Sequence, residues 1–477
     1  MKLARNTLLN LLGLGAPLLV AALSIPFLID LLGAARFGLL TLMWAVVSYF
    51  GLFDLGLGRA LTQQLSATLA RGTLDEVGPV VGTACALMVL LGLTAGISLA
   101  LLASWGVSLV VGVPDASEAV AATMAMACAV PAVVLTAGLR GVLEAQHAFG
   151  VINLIRLPLG LFTFLGPLAV AHWLGPRLDW IALALLLARL LALLAHLVAA
   201  ARALPKGRSP LALDSRIVRT LLTAGGWLTL GNLVGPLIGY ADRFIIAATV
   251  SASAVAFYAT PHELVTKLWI IPGALTAVLF PAFAANAVHN TDSSWPLAAQ
   301  GTRWVFAALL PITLALALFA QEALTLWIGR GFATESAPVL RLMAIGIFIN
   351  CLAHVPLTFL QGAGHARAPA LLQAAQVLPF VALMWWVTVQ HGVIGAALLW
   401  LTRMAFDTGM MFFLCARVHG AHGAPRPSMR STAAGLLSAA SFAMAFAGAS
   451  PATCVAVWSV GSVGAVLLIR PWQPRAA

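Results

Sequence analysis

Apolar runs of about twenty residues or more recur from near the N-terminus to Ile469, and the polar stretches between them are short. A segment crossing a hydrocarbon layer about 30 Å thick needs roughly 20 helical residues, and it must satisfy its own backbone polar groups on the way. Only helices and closed barrels do so, and repeated glycine and proline inside these runs argue against the short alternating strands of a barrel. An all-α polytopic membrane protein is therefore expected. Charged residues make up 9% of the chain and hydrophobic ones 61%, whereas soluble domains carry roughly 25% charged residues.

About 14 transmembrane helices are predicted from run length, at 8–32, 37–58, 78–111, 117–139, 149–173, 179–201, 217–241, 253–281, 302–328, 338–360, 369–390, 392–416, 431–449 and 452–469. The first follows Lys2 and Arg5 but is longer than a signal-peptide core, so it is read as retained. Pro17, Pro26, Pro158, Pro236, Pro272, Pro311 and Pro379 fall inside runs, where each frees a carbonyl and favours a bend.

The formal net charge is +11, and its distribution reads as topology rather than as affinity for nucleic acid. Under the 14-span reading one side collects Lys2, Arg5, Arg59, Arg71, Arg140, Arg156, Arg202, Lys206 and most of the remaining cations. The other side receives only Arg36, Arg177, Arg243, Arg330 and Arg341, with Asp115 and Glu118 in a connection on that side. Positive residues mark the cytoplasmic face, so both termini are expected there, close to anionic lipid. Cys85, Cys128, Cys351, Cys415 and Cys454 form no CxxC pair and read as packing residues.

The longest polar interruption, "ARALPKGRSPLALDSR" at 201–216, follows six spans. It suggests an N-terminal six-helix lobe at 1–208, a second at 209–420 and a two-helix segment at 421–477. Weak self-similarity supports a repeat: "LGAPLL" at Leu14 echoes "LVGPLI" at Leu233, and "LRGVLEAQHAF" at Leu139 echoes "LQGAGHAR" at Leu360. Parallel repeats of this kind place a site between halves near the bilayer midplane.

No phosphate-loop motif occurs, and "HELVT" lacks the second histidine of a zinc-protease helix. Cys415, His419 and His422 share helical spacing at a helix end, which reads as a solvated terminus rather than a metal site; no metal or cofactor is expected. What stands out is charge at membrane depth, where an ionisable side chain costs about 2.5–3.5 kcal/mol and marks a pathway or an internal pair. Lys267 lies four residues after Glu263, so the two form an insertion-assisting ion pair or place a cation on a cavity. Arg403 and Asp407 repeat that spacing, as do Arg140 and Glu144. Arg189 and His196, seven residues apart, share a helical face, and His354 is another mid-span group. Asp54 with Arg59, and Asp242 with Arg243, close spans two and seven as candidate gates. Lys267, Arg189, Arg403 and His354 are the candidate substrate-binding groups; Glu263, Asp407, Asp54, Asp242, Arg59 and Arg243 are candidates for ion coupling or gating.

The stretch "ARFGLLTLMWAVVSYFGLFDLGLGRALTQQLSATLARG" at 35–72 resembles the N-terminal signature of Wzx-type polysaccharide flippases, a branch of the MATE-like exporter superfamily. "YADRFIIAATVSASAVAFYATPHELVTKL" at 240–268 is similar to the start of that family's second half, and "LRGVLEAQHAFGVINLIR" and "LQGAGHARAPALLQ" to two of its connections. The resemblance implies two six-helix lobes in a V around a central cavity, in a bacterial inner membrane. It also implies an undecaprenyl-pyrophosphate-linked oligosaccharide as cargo, membrane lipids around it, and a polysaccharide polymerase and assembly proteins as partners; nucleic acid is not among them. Lys267, with Arg189 and Arg403, would then neutralise the anionic head group, and an ion gradient loading an intramembrane carboxylate would drive the cycle. A MurJ-type lipid II flippase and a MATE-type antiporter are the alternatives; a membrane polymerase or ligase ranks below them, because no sizeable outer loop is evident.

Overall fold

The computed structural model describes residues 2–52, 57–205, 212–289, 294–419 and 429–471, and among them every element is helical. The helices are α1 (Lys2–Leu52), α2 (Leu57–Arg71), α3 (Leu74–Ser108), α4 (Ala116–Ala145), α5 (Phe149–Trp173), α6 (Leu178–Ala203), α7 (Ser215–Thr249) and α8 (Ala252–Thr266). They continue as α9 (Ile270–His289), α10 (Ser294–Leu318), α11 (Ala320–Trp327), α12 (Arg330–Gly362), α13 (Arg367–His419), α14 (Met429–Ala443) and α15 (Pro451–Ile469).

Ten helical stretches among the described residues are long and apolar enough to cross a membrane. Their surfaces indicate the surrounding medium. Only 17% of the most apolar window of α3 is buried, and Leu101 stands 79% exposed. In water such a face would forgo roughly 25 cal/mol per Å² of apolar area, so its natural neighbour is lipid.

Two expected span boundaries turn out to be breaks within continuous helices. In α1 the backbone leaves helical geometry at Gly33 (φ 72°, ψ 162°), and in α13 at Gly392 (φ 57°, ψ −145°). Both conformations lie in or near a region that is essentially open to glycine alone, so these two residues are what let the chain turn there. The expected eighth span is likewise interrupted: a 3-10 turn, Lys267–Trp269, joins α8 to α9.

By packing, the described chain falls into two compact units, Met1–Ala256 and Phe257–Ala477, with the division inside α8. In the first, α4 lies against α3, α2 and α6. The α3–α4 crossing is very close: a Cβ on Gly92 would stand 2.7 Å from the Pro131 Cα, and one on Gly96 2.7 Å from the Ala127 carbonyl oxygen. Small residues one turn apart let helix backbones approach in this way when no hydrophobic drive between helices is available. Leu61, Leu65, Val77, Met88, Val134 and Val142 fill the core beneath.

Polar contacts finish one end of this unit. Asp115 caps α4, its carboxylate accepting from the Ser117 and Glu118 amides. Glu118, three residues on, takes two hydrogen bonds from the Arg36 guanidinium of α1 and one from the Leu178 amide at the start of α6. The α3–α4 connection is also tied to the α7–α8 connection through main chain: the Val111 amide donates to Ala247 O at 2.9 Å, and the Ala252 amide donates to Val111 O at 2.8 Å.

In the second unit α12 is the central helix, with 67% of its apolar window buried. Phe306 of α10 and Phe442 of α14 both meet Phe348 of α12, with ring centroids 5.3 and 5.6 Å apart. α14 and α15 pack on each other, and the Trp458 indole donates to the Pro311 carbonyl of α10 at 2.8 Å. That carbonyl lies at a proline inside a helix, one of the bend positions expected from sequence.

Candidate functional site

Among the described residues, three groups of ionisable side chains sit on apolar helices besides the candidate gates. The first is a pocket of about 210 Å³ between α4, α5 and α6 in the first unit, where Arg140, Arg156, Arg189, His196 and Thr136 supply the polar lining. The heptad spacing that predicted a shared face for Arg189 and His196 is realised, since both line this pocket. His196 is 4% exposed, and its Nδ1 lies 2.8 Å from the Ala192 carbonyl. A carbonyl only accepts, so Nδ1 carries the proton and Nε2 is left for other contacts. Arg140 pairs with Glu144 at 3.4 Å, and both are partly exposed. Arg156 was legible only as a topological charge; the structure adds it to the pocket.

The second group surrounds the α8–α9 break. Lys267 Nζ lies 2.8 Å from Glu263 Oε2, with side chains 47% and 40% exposed, so the pair expected from spacing is formed and stays accessible. Two residues on, the Trp269 indole donates to Asn350 Oδ1 of α12 at 3.0 Å and its ring lies 6.4 Å from the His354 ring. One turn before the break, His262 is buried, parallel to the Tyr258 ring at 6.0 Å and edge-on to Trp400 of α13 at 5.6 Å. The break at Lys267 therefore faces α12 through a tryptophan, an asparagine and a histidine. Of these, only His354 was singled out from sequence.

The third group is on α13. Arg403 lies over the Phe380 ring at 4.9 Å, a cation–π arrangement, while Asp407, 9% exposed, accepts from Gln376 Nε2 at 3.4 Å. Phe380 and Gln376 belong to the other leg of α13, beyond Gly392, so the two legs are joined through these polar groups.

The candidate gates differ in kind. Asp242 and Arg243 of α7 are 1% and 3% exposed; the Arg243 amide donates to Asp242 Oδ1, and its guanidinium lies 5.2 Å from the Tyr240 ring centroid. Arg59 is exposed on α2, and its expected companion Asp54 lies outside the described residues. Cys415 is buried with its thiol donating to the Pro356 carbonyl at 3.3 Å; His422 lies outside the described residues. The Arg36–Glu118 contact went unforeseen because its partners are 82 residues apart, although the Asp115-x-x-Glu118 capping pattern was there to be read.

Comparison with known proteins places these groups in context. A Shigella flexneri protein named "Putative O-antigen transporter" is 28% identical over 432 residues, covering 88% of this chain and 99% of that protein. Among solved structures, the lipid II flippase MurJ in an inward closed conformation superposes with a TM-score of 0.70 at 11% identity, covering 98% of this chain and 97% of that one. An inward-facing multidrug resistance MATE family transporter of the MOP superfamily gives a TM-score of 0.69 at 15% identity, covering 85% of this chain and 97% of that one. The sequence pattern of the polysaccharide biosynthesis protein family matches residues 3–287. With more than half of its length matched in this way, the chain belongs to the polysaccharide biosynthesis protein family.

Proposed function

We propose that the chain is a flippase that moves an undecaprenyl-pyrophosphate-linked oligosaccharide from the cytoplasmic to the outer leaflet of a bacterial inner membrane, for assembly of O-antigen, capsule or exopolysaccharide. It acts as a carrier and catalyses no bond change. The reading rests on family membership, on a relative named for O-antigen transport and on a fold shared with a lipid II flippase. The observation that carries it further is the sign of the charge at membrane depth: Lys267, Arg189 and Arg403, with His354, lie on apolar helices. A pyrophosphate crosses hydrocarbon poorly, and ammonium and guanidinium groups are the natural opposing charges. A cavity selecting cationic drugs would favour the reverse sign.

In this reading fourteen spans form two six-helix lobes, 1–208 and 209–420, arranged as a V, with 421–477 appended and both termini in the cytoplasm. The glycan crosses between the lobes while the polyprenyl tail stays in lipid, and a polymerase and assembly proteins take up the product. Glu263, Asp407, Asp54 and Asp242 are the carboxylates placed to couple transport to an ion, with Arg59 and Arg243 at the gates. One elementary charge moved through the membrane field contributes about 2.3 kcal/mol per 100 mV, enough to bias a two-state cycle.

The test is complementation of a flippase-null strain carrying a matched glycan, at equal membrane expression. Wild type and Lys267→Arg restore surface glycan, whereas Lys267→Ala accumulates lipid-linked intermediate on the cytoplasmic leaflet. Full activity of Lys267→Ala returns the lysine to a structural ion pair. Failure of the wild type overturns the reading.

A further inference from the structure

We propose that the pocket between α4, α5 and α6 is a binding site for a diphosphate ester carried on a membrane lipid. Among the described residues its polar lining consists of three guanidinium groups, one imidazole and one hydroxyl, with no carboxylate. Arg156 and Arg189 form no ion pair or hydrogen bond with any described residue, so their donors are available to a ligand. Arg140 is partly satisfied by Glu144. The uncommitted charge is therefore that of two guanidiniums, which matches the two negative charges of a diphosphate diester. A phosphate diester, with one charge, would leave the pocket cationic. Planar forked donors suit phosphoryl oxygens better than a point-charge ammonium does.

The arrangement along the helices gives the pocket a direction. Counting from the helix ends at 1.5 Å per residue, Arg140 and His196 lie about 8 and 10 Å in, Arg156 about 10 Å in, and Arg189 about 21 Å in from the same end. Cationic groups thus continue from the rim of the bundle to its middle, and a head group entering at Arg140 and Arg156 meets Arg189 about two turns deeper.

Size and surroundings argue for a lipid source. About 210 Å³ is below the roughly 300–1,000 Å³ of pockets that enclose drug-sized ligands, so the site suits a compact head group and excludes a glycan chain. On the opposite faces of α5 and α6, Leu154, Leu187, Leu191 and Leu194 are exposed, two of them by more than two thirds. Those faces suit lipid tails, so a head group anchored here keeps its chain in the bilayer. The inference rests on the flippase reading for its substrate class and places Arg189, one of the cations that reading invokes, in a defined site together with Arg140 and Arg156.

The test is equilibrium binding to the purified full-length protein in nanodiscs, with geranylgeranyl methyl diphosphate (a diphosphate diester with two charges), geranylgeranyl methyl phosphate (a phosphate diester with one) and inorganic pyrophosphate as probes. Wild type is expected to bind the prenyl diphosphate at least tenfold tighter than either of the others. Arg156→Gln/Arg189→Gln loses at least tenfold, Arg156→Lys loses less than Arg156→Gln, and Arg330→Gln, on α12, leaves binding within twofold. If the double variant does not give monodisperse protein, the single Arg156→Gln, at an exposed position, carries the comparison with Arg156→Lys. Equal affinity for inorganic pyrophosphate overturns the lipid source, and undiminished binding in the arginine variants overturns the site. Undiminished binding would also remove Arg189 from the cations the flippase reading invokes, but that reading itself is judged by complementation; failed complementation with binding lost in the variants would sink that reading and keep the site.

Discussion

The guanidinium of Arg36 grips the carboxylate of Glu118 through both Nε, at 3.1 Å, and Nη2, at 3.0 Å, and the same carboxylate accepts the Leu178 amide. One acidic side chain thereby holds the start of α4 against α1 and α6. Glu118 is 7% exposed and Arg36 29%, so removing one partner strands the other in a poorly hydrated place. Breaking buried pairs costs about 3–5 kcal/mol, and the partial exposure of Arg36 puts Glu118→Ala at about 2–3 kcal/mol. Scanning fluorimetry of the purified protein should show a lowered Tm for Glu118→Ala that Arg36→Met/Glu118→Ala partly restores. Equal losses in the two variants would show that the pair is not the source.

Lys267 and Glu263 separate stability from function. The pair is almost half exposed, and pairs of this kind contribute about 0.3–0.5 kcal/mol. Glu263→Gln should therefore leave membrane abundance and Tm close to wild type while lowering the rate at which lipid-linked intermediate leaves the cytoplasmic leaflet. A parallel loss of abundance would make the pair an insertion aid.

Gly33 adopts φ 72°, ψ 162°, and a Cβ built there meets nothing within 4 Å. Any cost of Gly33→Ala therefore comes from backbone strain rather than a clash, about 1–3 kcal/mol. Gly106, helical and equally open, is the control: alanine there should be neutral or stabilising by up to about 1 kcal/mol. Matching Tm changes for the two would contradict the assigned Gly33 geometry.

Asp115 lies outside the apolar helices, and its carboxylate is held below the ordinary value by the Ser117 hydroxyl, then by the Glu118 amide. A depressed folded value means that the cap is intact above the ordinary carboxylate range and is lost as pH falls through the folded value. Protection of the Ser117 and Glu118 amides from hydrogen exchange should be high at pH 7, persist through the ordinary carboxylate range and fall only below it. In Asp115→Ala it should be low throughout. Insensitivity of wild-type exchange to pH, after correction for intrinsic rates, would contradict the cap.

Much of the helical layout could be read from run length, because lipid forces each crossing segment to satisfy itself. The glycine breaks in α1 and α13 fell where spans were expected to end, at 32 and 390–392, although the chain stays helical on both sides. Heptad spacing brought Arg189 and His196 together because both ride one helix. Arg156 was missed because it sits on a different helix, and nothing in local spacing links positions 156 and 189. The Arg403–Asp407 spacing shows the opposite limit: it suggested a mutual pair, but the structure also engages each with a residue across the Gly392 break, Phe380 and Gln376. The 3-10 turn Lys267–Trp269 was marked by Pro272, which has no amide to donate to the Leu268 carbonyl one turn earlier.

The two main-chain hydrogen bonds between Val111 and the α7–α8 connection are indifferent to side-chain identity. Drift at the exposed Val111 leaves them in place unless it introduces proline, which cannot donate, whereas Ala247 and Ala252 are buried and must stay small. Gly38 is restrained in turn, because a Cβ there would overlap the Ala252 carbonyl. Descendants of this chain can therefore reshape the surface of both connections for different surroundings while inheriting the tie between them unchanged.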